Sequence, residues 1–187
     1  NKFKPDTKRV HKNIPKDFVC NDSGVKFIKE NDEGKKTDEW ITLKPVSVIA
    51  LSRDKSGNSW GKLIWWVDLD GKEHEKAISS KLFHAPGTEI AQLLADGGLP
   101  IVPGKERMLL MYLASFNVKE KLTAATCTGW LGNSFVLPEK TLNEPEGESI
   151  VYQPEGLSNI SKAIKSKGDG TSWKEGMVGA SDSVKFF

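Results

Sequence analysis

Cysteine and histidine are scarce in this chain. Cys20 and Cys127 stand far apart, and the only histidines are His11, His74 and His84. That spacing excludes a zinc knuckle or a C-x-x-C redox pair, so both thiols are expected to be free, buried and reduced. No apolar run approaches the ~20 residues of a membrane helix, and no signal peptide is visible. No membrane contact is therefore expected, and the cytoplasm is the expected location. Phosphate-binding glycine motifs are also missing. Neither G-x-x-x-x-G-K-[ST] nor G-x-G-x-x-G occurs, and Gly168-Asp169-Gly170-Thr171-Ser172 lacks both the lysine and a preceding strand. Nucleotide binding by this chain alone is not expected. Nor is one charge in excess: 27 Lys and Arg against 25 Asp and Glu leave +2, so bulk charge does not announce nucleic acid.

Charge is concentrated locally instead. The first sixteen residues hold Lys2, Lys4, Lys8, Arg9, Lys12 and Lys16 against Asp6 alone, so residues 1–17 are expected to form a basic, flexible arm. With 37% hydrophobic residues, positions 18–187 can bury a real core and are expected to form a single α+β domain. The chain starts without Met and closes on Val184-Lys185-Phe186-Phe187, as expected of a piece of a longer protein.

Short strands are predicted at residues 18–20, 24–28 and 40–43, separated by Asn, Asp and Gly turns. Residues 46–52 carry apolar side chains on both parities, the pattern of a central strand covered on both faces. After a polar loop, residues 60–69 form the next strand, which holds three of the six tryptophans. Asp70-Gly71 then signals a two-residue type I′ hairpin. Such a turn would pair Leu69 with Lys72, Val67 with His74, Trp65 with Lys76 and Leu63 with Ile78. The uniformly apolar set Leu63, Trp65, Val67 and Leu69 is expected to face the core. Trp60, Lys62, Ile64, Trp66 and Asp68 would make the outward, mixed face. Helices are predicted over 88–96 and 105–116 from apolar side chains at i, i+3, i+4 and i+7. Further strands are expected at 122–128, 134–137 and 150–153, with a turn at 129–133. A helix is predicted over 157–167, and another beginning at the capping box Ser172-Trp173-Lys174-Glu175. The sum is a mostly antiparallel sheet with an Asp-Gly hairpin, packed by two to four helices.

Little here resembles a catalytic site. In the pairing above His74 points away from Asp68, and Asp70 serves the turn, so no metal site is expected. His84 and His11 have no neighbouring nucleophile in sequence, and the pairs Asp32/Glu33 and Asp38/Glu39 read as solvated turn charges. No metal, cofactor or catalytic residue is assigned. A nucleic-acid platform is the richer alternative. Arg53, Lys55, Trp60, Lys62 and Trp66 interleave cations with aromatic rings. Lys162, Lys165 and Lys167 could assist. Stacking plus phosphate contact is how single strands are held without sequence preference.

Several short strings fall in a familiar order: Trp66-Val67-Asp68-Leu69-Asp70-Gly71, Leu94 with Gly98-Leu99, Tyr112-Leu113, Thr128-Gly129-Trp130, Phe135-Val136-Leu137-Pro138, and Gly170-Thr171-Ser172-Trp173-Lys174-Glu175. Together they resemble the domain of unknown function 927 family of phage, plasmid and genomic-island proteins, over roughly Val19 to Glu175. The resemblance implies an amino-terminal accessory domain preceding a P-loop ATPase in replicative helicases of mobile elements. The ATPase part itself is absent from this sequence, so no catalytic residue carries over and any ring would form through that part.

Two functions are expected on these grounds. In the first, a non-catalytic domain of a mobile-element DNA replication helicase helps to engage DNA, single-stranded by preference. Arg53, Lys55, Trp60, Lys62 and Trp66 would form the contact face, and Lys2, Lys4, Lys8 and Arg9 would supply non-specific attraction. In the second, the domain is a protein-interaction module that recruits a primase, polymerase or loader, or contacts helicase subunits through an apolar Trp60/Trp66 patch.

Overall fold

Among the described residues polar turns set off six strands, and two short helices separate these from five more. The computed structural model describes residues 13–31, 34–84 and 88–154. The arm residues Lys2, Lys4, Lys8 and Arg9, with His11, the Asp32/Glu33 pair and the two helices predicted beyond residue 156, lie outside that range. In chain order the elements are β1 (Phe18–Asn21), β2 (Gly24–Glu30), β3 (Lys36–Thr42), β4 (Val46–Arg53), β5 (Gly61–Val67) and β6 (Glu73–Ser79). A 3-10 turn (Ser80–His84), α1 (Thr88–Asp96) and α2 (Glu106–Ala114) follow. The chain then forms β7 (Lys121–Ala125), β8 (Gly129–Leu131), β9 (Ser134–Val136), β10 (Thr141–Leu142) and β11 (Ile150–Tyr152). Gly129–Leu131 is thus a strand rather than part of a turn.

The strands form three sheets: β1-β2-β3, β10-β9-β8, and a five-stranded sheet ordered β11-β7-β4-β5-β6. Six of the eight pairings are antiparallel. The exceptions run through the middle of the large sheet, where β7 pairs parallel with both β4 and β11. The fold is therefore α+β, with a mixed central sheet in place of a simple meander. Strand β4 lies centrally, in keeping with its two apolar parities. A bulge between Val48 and Ala50 turns Val46 and Val48 toward one face and Ala50 toward the other.

One face of the large sheet carries the main core. There Val46, Val48, Ile64, Trp66 and Ile78 meet Ile90, Leu94, Leu109, Tyr112 and Leu113 from the helices. The small sheet β1-β2-β3 contributes Cys20, Val25 and Ile41 to the same cluster. The extended stretch after α1 is stitched to β3, with Leu43 N–H donating to Pro100 O (2.9 Å) and Val102 N–H to Ile41 O (2.9 Å). On the opposite face Ala50, Leu63, Ala77 and Leu122 form a second cluster with Ile49 and Val151. Cys20 is buried and free as expected, whereas Cys127 is free but exposed.

The β5–β6 hairpin departs from the expected register by one residue. Its loop has three residues, Leu69-Asp70-Gly71, closed by Asp68. Asp68 N–H donates to Lys72 O (2.9 Å), Gly71 N–H donates to Asp68 O (3.1 Å), and Asp68 Oδ1 accepts the Lys72 N–H (2.8 Å). Gly71 takes φ +80°, the left-handed residue that completes a three-residue hairpin loop. Trp66 therefore lies opposite His74, Trp65 opposite Glu75 and Leu63 opposite Ala77. The carboxylates of Asp38 and Glu39 are also placed differently from the expected solvated turn. Both lie in β3, where Lys26 binds Asp38 and Lys105 Nζ donates to Glu39 Oε2 at 2.5 Å.

At the centre of the core the Tyr112 hydroxyl donates to Val46 O (2.9 Å), and the Cys20 thiol points at the same carbonyl. Tyr112 is fully buried, so Tyr112→Phe removes a donor that water cannot replace. A loss of about 1–2 kcal/mol in urea unfolding is expected, with an unchanged m-value.

Candidate nucleic-acid interface

Arg53, Lys55 and Trp60 sit together at the β4–β5 hairpin. The loop between these strands repeats the chemistry of the β5–β6 loop. Asp54 N–H donates to Asn58 O (2.9 Å), Gly57 N–H donates to Asp54 O (3.0 Å), and Asp54 Oδ1 accepts the Asn58 N–H (2.8 Å). An Asp-x-x-Gly spacing thus closes both hairpins that flank β5. Arg53 and Lys55 are exposed, and the Arg53 guanidinium lies 5.6 Å from the centre of the Trp60 ring. Trp60 is 39% exposed, with its carbonyl held by Ser80 N–H (2.8 Å). A guanidinium over an open indole face offers a stacking surface with cations at its rim.

Lys62 and Trp66 are not on that surface. The expectation that they face outward is overturned, because β5 is covered on both faces. Trp66 is 4% exposed within the main core. Its indole N–H donates to Gly97 O (2.9 Å), and its ring stacks on His74 at 5.3 Å. Lys62 reaches along the same face to the end of α2, where Nζ donates to Leu113 O (2.8 Å) and Ala114 O (2.6 Å). Burial pushes its ammonium below the usual lysine range. It satisfies helix-terminal carbonyls and favours the negative end of the helix dipole. Leu63 and Trp65 are buried too, on the other face, whereas Leu69 is exposed in the loop.

The register change also joins two groups that were expected apart. His74 Nε2 lies 2.7 Å from Asp68 Oδ2. No group of three His, Cys, Asp or Glu placed to hold a metal occurs among the described residues. The hydrogen bond from His74, and then the Lys72 N–H, hold the Asp68 carboxyl below the ordinary aspartate range.

The sequence reading missed a second aromatic surface. Trp130 in β8 pairs with Phe135 in β9, which pairs in turn with Leu142 in β10. Directly opposed residues share a face, so these three form one row across the small sheet. Trp130 is 74% exposed and makes an edge contact with Phe135 at 5.1 Å, and Leu142 is exposed. The reverse face carries Val136, packed with Ala125 and Ile150. Gly129 and Gly132 bracket Trp130 so closely that no apolar alternation marks the strand in the sequence. Residues 126–153 hold four glutamates (139, 144, 146 and 148) against Lys140 alone, so this surface belongs to an acidic segment.

An α+β domain of three sheets and two helices among the described residues, with an aromatic-cationic hairpin, is the class the geometry defines. Residues 18–182 match the family described as Domain of unknown function (DUF927), and the chain belongs to that family. It is also similar to a solved structure titled "SCCmec type IV Cch - active helicase", at 17% identity and a TM-score of 0.45. That likeness covers 91% of this chain and 30% of the helicase, so the chain spans under a third of that protein's length. No curated protein matches the chain. No described helix is long and apolar enough to cross a membrane.

Asp68 gives this region a pH dependence with a definite sign. Its folded pKa lies below the unfolded value, so its contribution to stability is fully present above about pH 4 and is lost as the pH falls through the folded pKa. Asp38 and Glu39 act in the same direction through Lys26 and Lys105. Asp68→Asn is expected to flatten part of the fall in melting temperature between about pH 5 and about pH 3, across the carboxylate range. An unchanged slope in a pH series of thermal melts would remove Asp68 from this account.

Proposed function

We propose that this chain is a non-catalytic accessory domain of a mobile-element DNA replication helicase, and that its β4–β5 hairpin engages DNA. The helicase setting rests on membership of the family and on what its motif order implies: a domain that precedes a P-loop ATPase. DNA engagement rests on one observation, the Arg53 guanidinium over the exposed Trp60 ring with Lys55 in the adjoining loop. The contact face is smaller than the sequence suggested, since Lys62 and Trp66 serve the core. Stacking on Trp60 would favour single strands, whose bases are free to stack. The arm cations Lys2, Lys4, Lys8 and Arg9 would add attraction without selectivity.

Titration of the full chain with labelled single- and double-stranded oligonucleotides at low salt tests this reading. Trp60→Ala is expected to weaken single-strand binding by about 5- to 150-fold, the range of one lost base stack. Arg53→Ala with Lys55→Ala should lower the slope of log K against log salt by roughly 1.4, at about 0.7 per phosphate on single strands. Binding to neither DNA form would end the proposal.

A second reading, a protein-interaction module for a primase, polymerase, loader or helicase subunit, is favoured by Trp130. An exposed aromatic row in an acidic segment suits a polypeptide better than a phosphate backbone. The surface would then be Trp130, Phe135 and Leu142 rather than Trp60 and Trp66. In pull-downs from cells carrying the element, capture that is lost with Trp130→Ala and kept with Trp60→Ala supports this reading. The reverse result supports the hairpin.

A further inference from the structure

Gln153 follows the last described strand, yet its side chain ends beneath the β4–β5 hairpin. It is 1% exposed. Its backbone N–H donates to Ala125 O (2.8 Å), which anchors it beside β7. The carboxamide then spans the two strands that carry the hairpin. Oε1 accepts the hydroxyl of Ser52, and Nε2 donates to Ser59 O (2.7 Å). Ser52 immediately precedes Arg53, and Ser59 immediately precedes Trp60. One buried amide thus holds the residue before each member of the cation–ring pair.

Two features show that the hairpin is built around this side chain. Position 61, which pairs with Ser52, is glycine, and a Cβ there would overlap the Gln153 carboxamide. Ser59 takes φ +51°, a left-handed conformation that a serine adopts only when its surroundings impose it. The Gln153 amide supplies such a constraint, by fixing the Ser59 carbonyl. That carbonyl sets the direction in which the chain enters Trp60. Without the donor a part-buried carbonyl loses its partner, and the left-handed turn loses what offsets its strain.

We infer that Gln153 is a positioning residue for the proposed nucleic-acid platform. Held at Ser52 and Ser59, the hairpin presents the Trp60 ring beneath Arg53 before any ligand arrives, so less ordering is left for binding. The inference rests on the reading of the hairpin as a DNA contact, but the positioning itself is measurable without DNA.

The test uses the full chain and the indole N–H resonances of its tryptophans, with Trp60 assigned through Trp60→Phe. In Gln153→Met, which keeps side-chain volume and removes both hydrogen bonds, the Trp60 resonance is expected to shift and broaden. The Trp66 resonance, whose donor is bonded to Gly97 O at the far end of β5, should stay in place. Gln153→Glu keeps an acceptor for Ser52 and loses the donor to Ser59, so it should move Trp60 in the same way, and it carries the test should Gln153→Met not fold. Ser52→Ala leaves the Ser59 bond intact and should leave the Trp60 resonance unmoved. Single-strand affinity should fall about tenfold in Gln153→Met, and adding Trp60→Ala should cost little more, since both changes remove the same stack. A Trp60 resonance that is unchanged, or that moves only together with Trp66, overturns the inference. Should Gln153→Met move Trp60 alone while Trp60→Ala leaves DNA binding unaltered, the positioning stands and the DNA reading falls.

Discussion

The burial of β5 on both of its faces is the constraint from which the remaining assignments follow. A strand with one wet face sorts apolar residues inward and polar residues outward. Strand β5 has no wet face. Ile64 and Trp66 enter the core beneath the helices, and Leu63 and Trp65 enter the opposite side. Lys62 is admitted to the covered face because its ammonium finds two helix-terminal carbonyls. The polar handles of the tryptophans are satisfied in the same way, by Gly97 O for Trp66 and by Glu73 Oε2 for Trp65 (3.3 Å). Among the described residues no buried side-chain nitrogen or oxygen is left without a partner, as the cost of burying an unpaired polar group requires.

Much of this fold was legible in the sequence. The central place of β4 followed from its apolar residues on both parities, and both helices followed from their 3.6-residue period. The hairpin was legible as a turn but misread in length. Asp70-Gly71 alone fits a two-residue turn, whereas Asp68 three residues before Gly71 selects the longer loop through its own carboxylate. The same Asp-x-x-Gly spacing at Asp54 and Gly57 was equally available as a signal. Parity reasoning failed at Lys62 and Trp66 because a lysine was taken as evidence of water. A long lysine side chain can cross an apolar surface and end at a helix terminus. The parallel pairing of β7 with β4 and β11 was not legible, because it joins segments about 70 and 30 residues apart with no local pattern to announce it.

The candidate sites divide along the same line. Arg53, Lys55 and Trp60 were singled out by composition; in the fold Arg53 lies over Trp60 and Lys55 stands in the loop between them. Trp130 was overlooked because exposure cannot be read from a three-residue strand between glycines. Gln153 was passed over because a lone glutamine carries no motif, and its significance depends on Ser52 and Ser59, which only the tertiary fold brings to it. Four of the described tryptophans thus fall into two kinds. Trp65 and Trp66 fill the interior, whereas Trp60 and Trp130 present rings to the outside.

The paired Asp-x-x-Gly loops bear on how sequences of this fold can drift. Each end of β5 is clamped by a closure that counts residues. An insertion or deletion of one position that slips the strand against its partners turns it over, exchanging Lys62, Ile64 and Trp66 with Leu63 and Trp65. The two faces cannot accept the exchange, since one supplies helix carbonyls to an ammonium and the other is lined by Ala50, Ala77 and Leu122. Length variation in these loops is therefore tolerable only where the loop absorbs it or where it comes in steps of two. The hairpin that carries Arg53 and Trp60 is thus held to its count by Asp54 and Gly57, and Gly61 leaves the room that Gln153 fills.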